Sequence, residues 1–519
     1  MTPLRCAPWV TVNTACGAVE AWQGIAYLLV RNMHRTVVMP HIEPPAIEKK
    51  HLHFVGICGK AMGAIAAALA NEGWRVTGSD EKCYQPMMNF LSRQGIPVCT
   101  PYAAGNVPPD ADLVVVGKRV TAGNPELVHV LRHGPPHSSF PQFLHQHFLR
   151  HSRNAVVAGG VGKTTTTSML AWILEAAGQR ADYLIGGLAR NFPHPARFSG
   201  SRITVLEGDE YATCFDDPRP KFLHYQPEVG IITNIVEDHP DIYRNLGEVC
   251  QAFSDFIELL PAHGALIMAD DDEAGIKLAQ RAACQTFITG FTAAATERIT
   301  NLELREGGSR FALQGVDFEI PLCGRMNVKN AAMAVLAASA LGVPPEQAAQ
   351  GLRRYLGVSN RQEERQIGTC TLVRDKASHP RALAELVGAL RQRFPGRRLV
   401  SLIQPRATGG RDWVYQKELP EALAQFEKVI LTSAHEHNPQ QPQPWADDPF
   451  CLEHLGKCLR ARMTDVILAA GIDEIKSAIA TQIEDGDVIA LTVLEQSREV
   501  QDVVGQALLE RASLSTSSV

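Results

Sequence analysis

Short apolar runs separated by stretches of helical periodicity recur from about residue 50 to residue 500 of this chain. The run opening at His51 predicts a strand that enters a glycine turn by Gly59. Apolar spacing over 61–71 predicts a helix, and 74–77 a second strand ending at Gly78, Ser79 and Asp80. A later strand at 112–117 completes the same kind of unit. The pattern returns with an apolar run at 155–158, strands at 203–206 and 229–232, and a helix at 330–341. It returns a third time with strands at 371–373, 398–403, 428–431 and 488–491, and a polar loop at 437–444. Strand–helix alternation of this sort predicts parallel, doubly wound sheets. The expected fold is therefore α/β in three domains. A Rossmann-like domain spans 48–149, a central phosphate-loop domain with a parallel sheet 150–355, and a Rossmann-like C-terminal domain 356–519. Residues 1–47 show little periodicity and read as an unstructured extension, or as sequence upstream of a start at Met39.

Where the second block begins, the apolar run passes into Gly159-Gly160-Val161-Gly162-Lys163-Thr164-Thr165 and then a helical pattern. That order suits a phosphate-binding loop. Glycines let backbone amides close around phosphate oxygens, and the helix N-terminus adds partial positive charge. Lys163 is placed to reach the β- and γ-phosphates, and the Thr164 or Thr165 hydroxyl to ligate Mg²⁺. The loop is short: two residues separate Gly159 from Gly162 where the common pattern has four.

Bulk composition narrows the function classes. A 519-residue chain with 45% hydrophobic and 20% charged residues is an ordinary globular protein. Its net charge of −5 provides no basic footprint for nucleic acid. No stretch approaches the ~18 uninterrupted apolar residues of a membrane span. The twelve cysteines, without CxxC pairs, read as reduced thiols of a cytoplasmic protein. The sequence leaves the oligomeric state open.

Other clusters gain meaning from the phosphate loop. Glu207, Asp209 and Glu210 follow one strand, and Glu237, Asp238 and His239 follow the next. Strand C-terminal ends are where open α/β sheets bind ligands, and hard oxygens suit Mg²⁺. Gly56, Gly59 and Gly63, with Asp80 ending the next strand, fit either a dinucleotide or the diphosphate of a UDP-sugar. Asn327 and Asn330 head a helix, where simple capping would explain them equally. Arg361 and Asp375, in segments that otherwise read as surface loops, are placed to reach a nucleotide across a domain cleft.

In this order the pieces resemble the Mur ligases, ATP-dependent amide-forming enzymes of bacterial cell-wall synthesis. Residues 56–63, 210–211 and 221–225 are most similar to the murein peptide ligase branch. The resemblance implies a ligase joining a recycled murein tripeptide to UDP-N-acetylmuramate. ATP would phosphorylate the muramic-acid carboxylate, and the peptide amine would attack the acyl phosphate, releasing phosphate. It further implies that Lys163 holds the transferring phosphate, while Thr164, Glu207 and His239 position metal ions. Asn327 and Asn330 would lie near adenine, and Arg361 and Asp375 at phosphate and ribose. Gly56, Gly59, Gly63, Asp80 and Arg406 would bind substrate. Several positions depart from the family pattern. Gly160 and Val161 replace a Thr-His pair, and Lys60, Lys118 and Ala212 replace Thr, Asn and Asp. Asn360 replaces an arginine and Ser378 a histidine, and the segments 404–408 and 492–495 are rewritten. Two other readings therefore stay open: a UDP-N-acetylmuramate–L-alanine ligase, and an impaired homologue that binds nucleotide or UDP-sugar without turnover.

Overall fold

The computed structural model describes residues 50–516 apart from 84, 86, 238–241, 406–412, 433–451, 464 and 494–497. The extension at 1–47 and the polar loop at 437–444 lie outside the described residues. Three mainly parallel sheets follow one another along the chain, one for each expected block.

In the first sheet the strands run in the order Val98–Cys99, Arg75–Ser79, His51–Val55, Leu113–Val116 and His137–Ser139, all parallel. Every residue of His51–Val55 is buried, as expected of a strand covered by helices on both faces. Chain direction across the sheet reverses between this strand and Leu113–Val116. Such a switch point opens a crevice at the strand ends, here at the turn 56–59.

The central sheet has eight strands, with Arg153–Ala158 between Val229–Ile232 and Ile203–Glu207. All pairings in it are parallel except that of Asp182–Leu184 with Ala196–Arg197. This adjacency explains why residues distant in sequence meet. The strand feeding the phosphate loop is flanked by the two strands whose C-terminal ends carry the acidic clusters. Helix Lys163–Ala176 follows the loop and packs against the alanine-rich helix Arg325–Ala340. That second helix begins five residues before the expected 330 because Gly324, at φ 98°, caps it.

An antiparallel three-stranded sheet, Thr300–Arg305, Gly308–Leu313 and Val316–Ile320, was not anticipated. Its sequence signal is present: Gln314 and Gly315 both take positive φ, as a two-residue hairpin turn requires. In the third sheet Glu363–Ile367 lies antiparallel to Cys370–Arg374. Parallel strands Val488–Thr492, Leu399–Ile403, Lys428–Thr432 and Val466–Ala469 follow. Helix Pro380–Arg393 of this sheet docks on the central block. Gln392 accepts from Gly324 N at 2.7 Å and donates to Arg305 O at 2.8 Å.

One expectation is corrected: Cys58 and Cys83 form a disulfide, with Cα atoms 5.8 Å apart. They stand beyond the ends of two adjacent strands, so sheet pairing brings them together across 25 residues of sequence.

Candidate functional site

The loop 159–162 leaves the buried strand Arg153–Ala158 and enters helix Lys163–Ala176. Gly159 (φ 125°) and Gly162 (φ 98°) hold backbone that a side chain would strain. At Gly162 a Cβ would also stand 2.7 Å from Asn330 Oδ1. Asn234, just beyond Val229–Ile232, grips the crest of the loop. Its Oδ1 accepts from Val161 N at 3.0 Å and its Nδ2 donates to Val161 O at 2.7 Å. Asn234 stands three residues before Glu237, and its polar side chain is the only sequence signal for this role.

Lys163 does not project freely. Its Nζ donates to both oxygens of Glu210, at 2.8 and 3.0 Å, and to Gly159 O. Burial opposes its charge, yet Glu210, Asp209 and Glu207 outweigh that and raise its pKa. The ammonium is therefore held charged at the loop. Thr164 Oγ1 donates to Glu207 Oε1 at 2.9 Å, and Gly186 N donates to Oε2 at 2.7 Å. Burial pushes the Glu207 pKa up and Asp209 adds to the push, so this carboxylate would gain from a cation. Thr164 and Glu207 together are hard oxygen donors beside a phosphate loop, and their chemistry fits Mg²⁺. Among the described residues no cluster of three His, Cys, Asp or Glu forms a metal cage. Mg²⁺ suits such a place because it keeps waters and shares phosphate oxygens.

A cleft between the central and third blocks is lined by Gly162, Thr164, Thr165, Asn327, Arg361 and Asp375, among others. Six of the expected nucleotide-site residues thus share one cleft. Asn327 lies inside its helix rather than capping it, with Nδ2 donating to Cys323 O at 2.7 Å. Asn330 is buried against Gly162 and supports the loop. Asp375 accepts from Gln362 N and Ala377 N, each at 2.8 Å, so it also fixes the cleft wall.

At the first sheet the turn 56–59 spends its amides internally. Gly56 N and Ile57 N donate to Ser79 O, Cys58 N to Asp80 Oδ2, and Gly59 N to Gly56 O. Helix Lys60–Asn71 follows, and its Gly59 cap supplies no side-chain hydrogen bond to the opening turn. Gly63 serves close packing, since a Cβ there would stand 2.5 Å from Met87 Sδ. Asp80 accepts from Cys58 N at 2.8 Å and from the Tyr102 hydroxyl at 3.3 Å, and thereby holds the turn. His239 and Arg406 lie outside the described residues.

Comparison with known proteins places these features in a family. Residues 51–152 match the model of the Mur ligase family catalytic domain, and 157–338 that of the Mur ligase middle domain. A Haemophilus influenzae UDP-N-acetylmuramate–L-alanyl-γ-D-glutamyl-meso-2,6-diaminoheptandioate ligase is 36% identical over 392 residues, 74% of this chain and 85% of that protein. A UDP-N-acetylmuramate–L-alanine ligase of Burkholderia pseudomallei is 32% identical over 454 residues, 85% of this chain and 94% of its own. The crystal structure of a murein peptide ligase from Psychrobacter arcticus superposes with a TM-score of 0.67 at 25% identity. The match covers 89% of this chain and 99% of that one.

Proposed function

The chain belongs to the Mur ligase family of ATP-dependent amide-forming enzymes, and on that premise we propose that it joins a murein tripeptide to UDP-N-acetylmuramate. The observation that carries this reading is the convergence of the phosphate loop, the Thr164–Glu207 pair and the Asn327, Arg361 and Asp375 wall on one cleft. In this proposal the loop amides and Lys163 bind and orient the ATP phosphates. Thr164 and Glu207 would hold a Mg²⁺, whose charge would offset that developing on the phosphate. The acyl phosphate formed on the muramic carboxylate is then attacked by the peptide amine, with loss of phosphate. His239 would join the metal-binding oxygens, and Arg406 would contact substrate from the third block. We place the reaction in the cytoplasm, in peptidoglycan recycling. Among the described residues no helix is long and apolar enough to cross a membrane.

A second reading has its own support. Gly160 and Val161 in the phosphate loop, and Asn360 and Ser378 in the third block, depart from the family pattern at the expected site, as a homologue that binds without turnover would. Phosphate release separates the two. Purified protein with ATP and Mg²⁺ should release phosphate when UDP-N-acetylmuramate and tripeptide are both present, and not when either is withheld. Replacing the tripeptide by L-alanine tests the sister activity. Nucleotide binding without release under any of these conditions would favour the second reading.

The first-sheet turn yields a further prediction. Asp80→Ala removes the acceptor for Cys58 N and Tyr102. Losing the charged acceptor of the Cys58 and Tyr102 hydrogen bonds that hold a binding turn should raise KM for UDP-N-acetylmuramate about tenfold. KM for ATP should stay unchanged, because the cleft that takes ATP lies between the other two blocks. Initial-rate kinetics with each substrate varied would check both halves.

A further inference from the structure

We propose that Val161 is a positioning residue that ties the phosphate loop to the third block, so that seating of that block and nucleotide binding are coupled. The inference rests on assigning the cleft to nucleotide. Val161 stands between Gly160 and Gly162 at the crest of the loop. Its main chain is held within the central block by the paired hydrogen bonds to the Asn234 amide, at 3.0 and 2.7 Å. Any rotation of its peptide groups would break one or both of them.

Its side chain leaves that block. Val161 packs against the hydrophobic core of the third sheet, a cluster that includes Val373, Ala377, Ala382 and Leu386. Ala377, Ala382 and Leu386 also wall the cleft that Gly162 and Thr164 open into. One residue thus has its backbone fixed by Asn234, just beyond Val229–Ile232, and its side chain fixed by the opposite wall. Gly160 N and Val161 N are spent on Asn234, so phosphate would be met by the amides that follow, at Gly162 and the start of helix Lys163–Ala176, and their direction would depend on where the third block holds Val161. Packed apolar contacts of this kind take discrete arrangements rather than bending continuously.

A charged tie runs beside the apolar one. Asp271 of the central block accepts from Lys329 Nζ at 2.5 Å and from Arg381 Nη2 of the third block at 2.8 Å. Arg381 opens helix Pro380–Arg393, and that helix also supplies Ala382 and Leu386. The polar tie sets the helix position, while the Val161 contact transmits that position to the loop. A polar residue at 161 would keep the bonds to the Asn234 side chain, which use only the backbone of residue 161, and lose the transmission.

Hydrogen exchange and ADP binding test this with the full-length protein. Val161→Ser should speed amide exchange in 159–162 and at the start of helix 380–393 together, leaving the first sheet unchanged. Val161→Ile, which keeps an apolar branched side chain, should restore wild-type exchange. In titrations with Mg²⁺-ADP the serine variant should bind about five- to tenfold more weakly, and its affinity for UDP-N-acetylmuramate should not move. Exchange altered in the loop alone, or equal ADP affinity in wild type and the serine variant, would overturn the proposal. Wild-type protein that binds UDP-N-acetylmuramate but no ADP would overturn the assignment of the cleft, and the coupling with it. Absence of phosphate release alone would overturn neither.

Discussion

Lys163→Ala is expected to eliminate substrate-dependent phosphate release, by at least ~10²-fold, and to weaken the fold as well. The loss of activity would follow, on the proposed function, from removing the main counter-charge of the transferring phosphate. The loss of stability follows from the ion pair with Glu210, whose members are each less than a tenth exposed. Truncating one partner of a buried pair strands the other, at about 3–5 kcal/mol. A raised lysine pKa contributes stability that is fully present below its unfolded value and is lost as pH rises through the folded one. The pair is therefore at full strength at neutral pH. Combining Lys163→Ala with Glu210→Gln removes the stranded charge, and should recover most of the melting temperature without recovering turnover. Calorimetry and the phosphate assay on the two variants separate the roles of the lysine. Turnover that returns with the second substitution would show that the first had merely unfolded the site.

That pair also marks a limit of what the sequence makes legible. Strand, glycine turn and helix of the phosphate loop are local chemistry, and each stands where the apolar run and Gly159 to Lys163 place it. Convergence of Glu207 with the loop was legible too, because parallel strands present their C-terminal ends on one side. Roles within the acidic cluster were not. Glu207, Asp209 and Glu210 look alike in sequence, and packing alone turns Glu207 to Thr164 and Glu210 to Lys163. Asn234 was hidden for a different reason: its contact with Val161 depends on which strands are neighbours, across 73 residues. The Cys58–Cys83 disulfide likewise joins two strand ends, and no short spacing announces it. For Asn327 the local pattern fits capping as well as a nucleotide contact, and only the folded chain shows it inside a helix that Gly324 caps.

Glu207 carries the second large effect. Glu207→Gln should reduce phosphate release by ~10²-fold, comparable with losing a preorganised electrostatic partner. It should also weaken the enzyme's response to Mg²⁺. The glutamine oxygen can still accept from Thr164 or Gly186, so the variant should fold. Its wild-type counterpart should show a pH signature with a definite sign. Burial, reinforced by Asp209, raises the Glu207 pKa, and the bonds from Gly186 and Thr164 and the charge of Lys163 only partly offset this. Folding thus favours protonation of this carboxyl relative to the unfolded chain. Its stabilising contribution is complete below the ordinary carboxylate pKa and is lost as pH rises through the raised value. A divalent cation competes with that proton, so Mg²⁺ affinity in the presence of ADP should tighten over the same rise in pH. In the glutamine variant both the stability change and the Mg²⁺ change should flatten. If Mg²⁺ binding depends on pH equally in both proteins, another group titrates. Glu207 would then be the residue that fixes Thr164 and Gly186 rather than a holder of the cation.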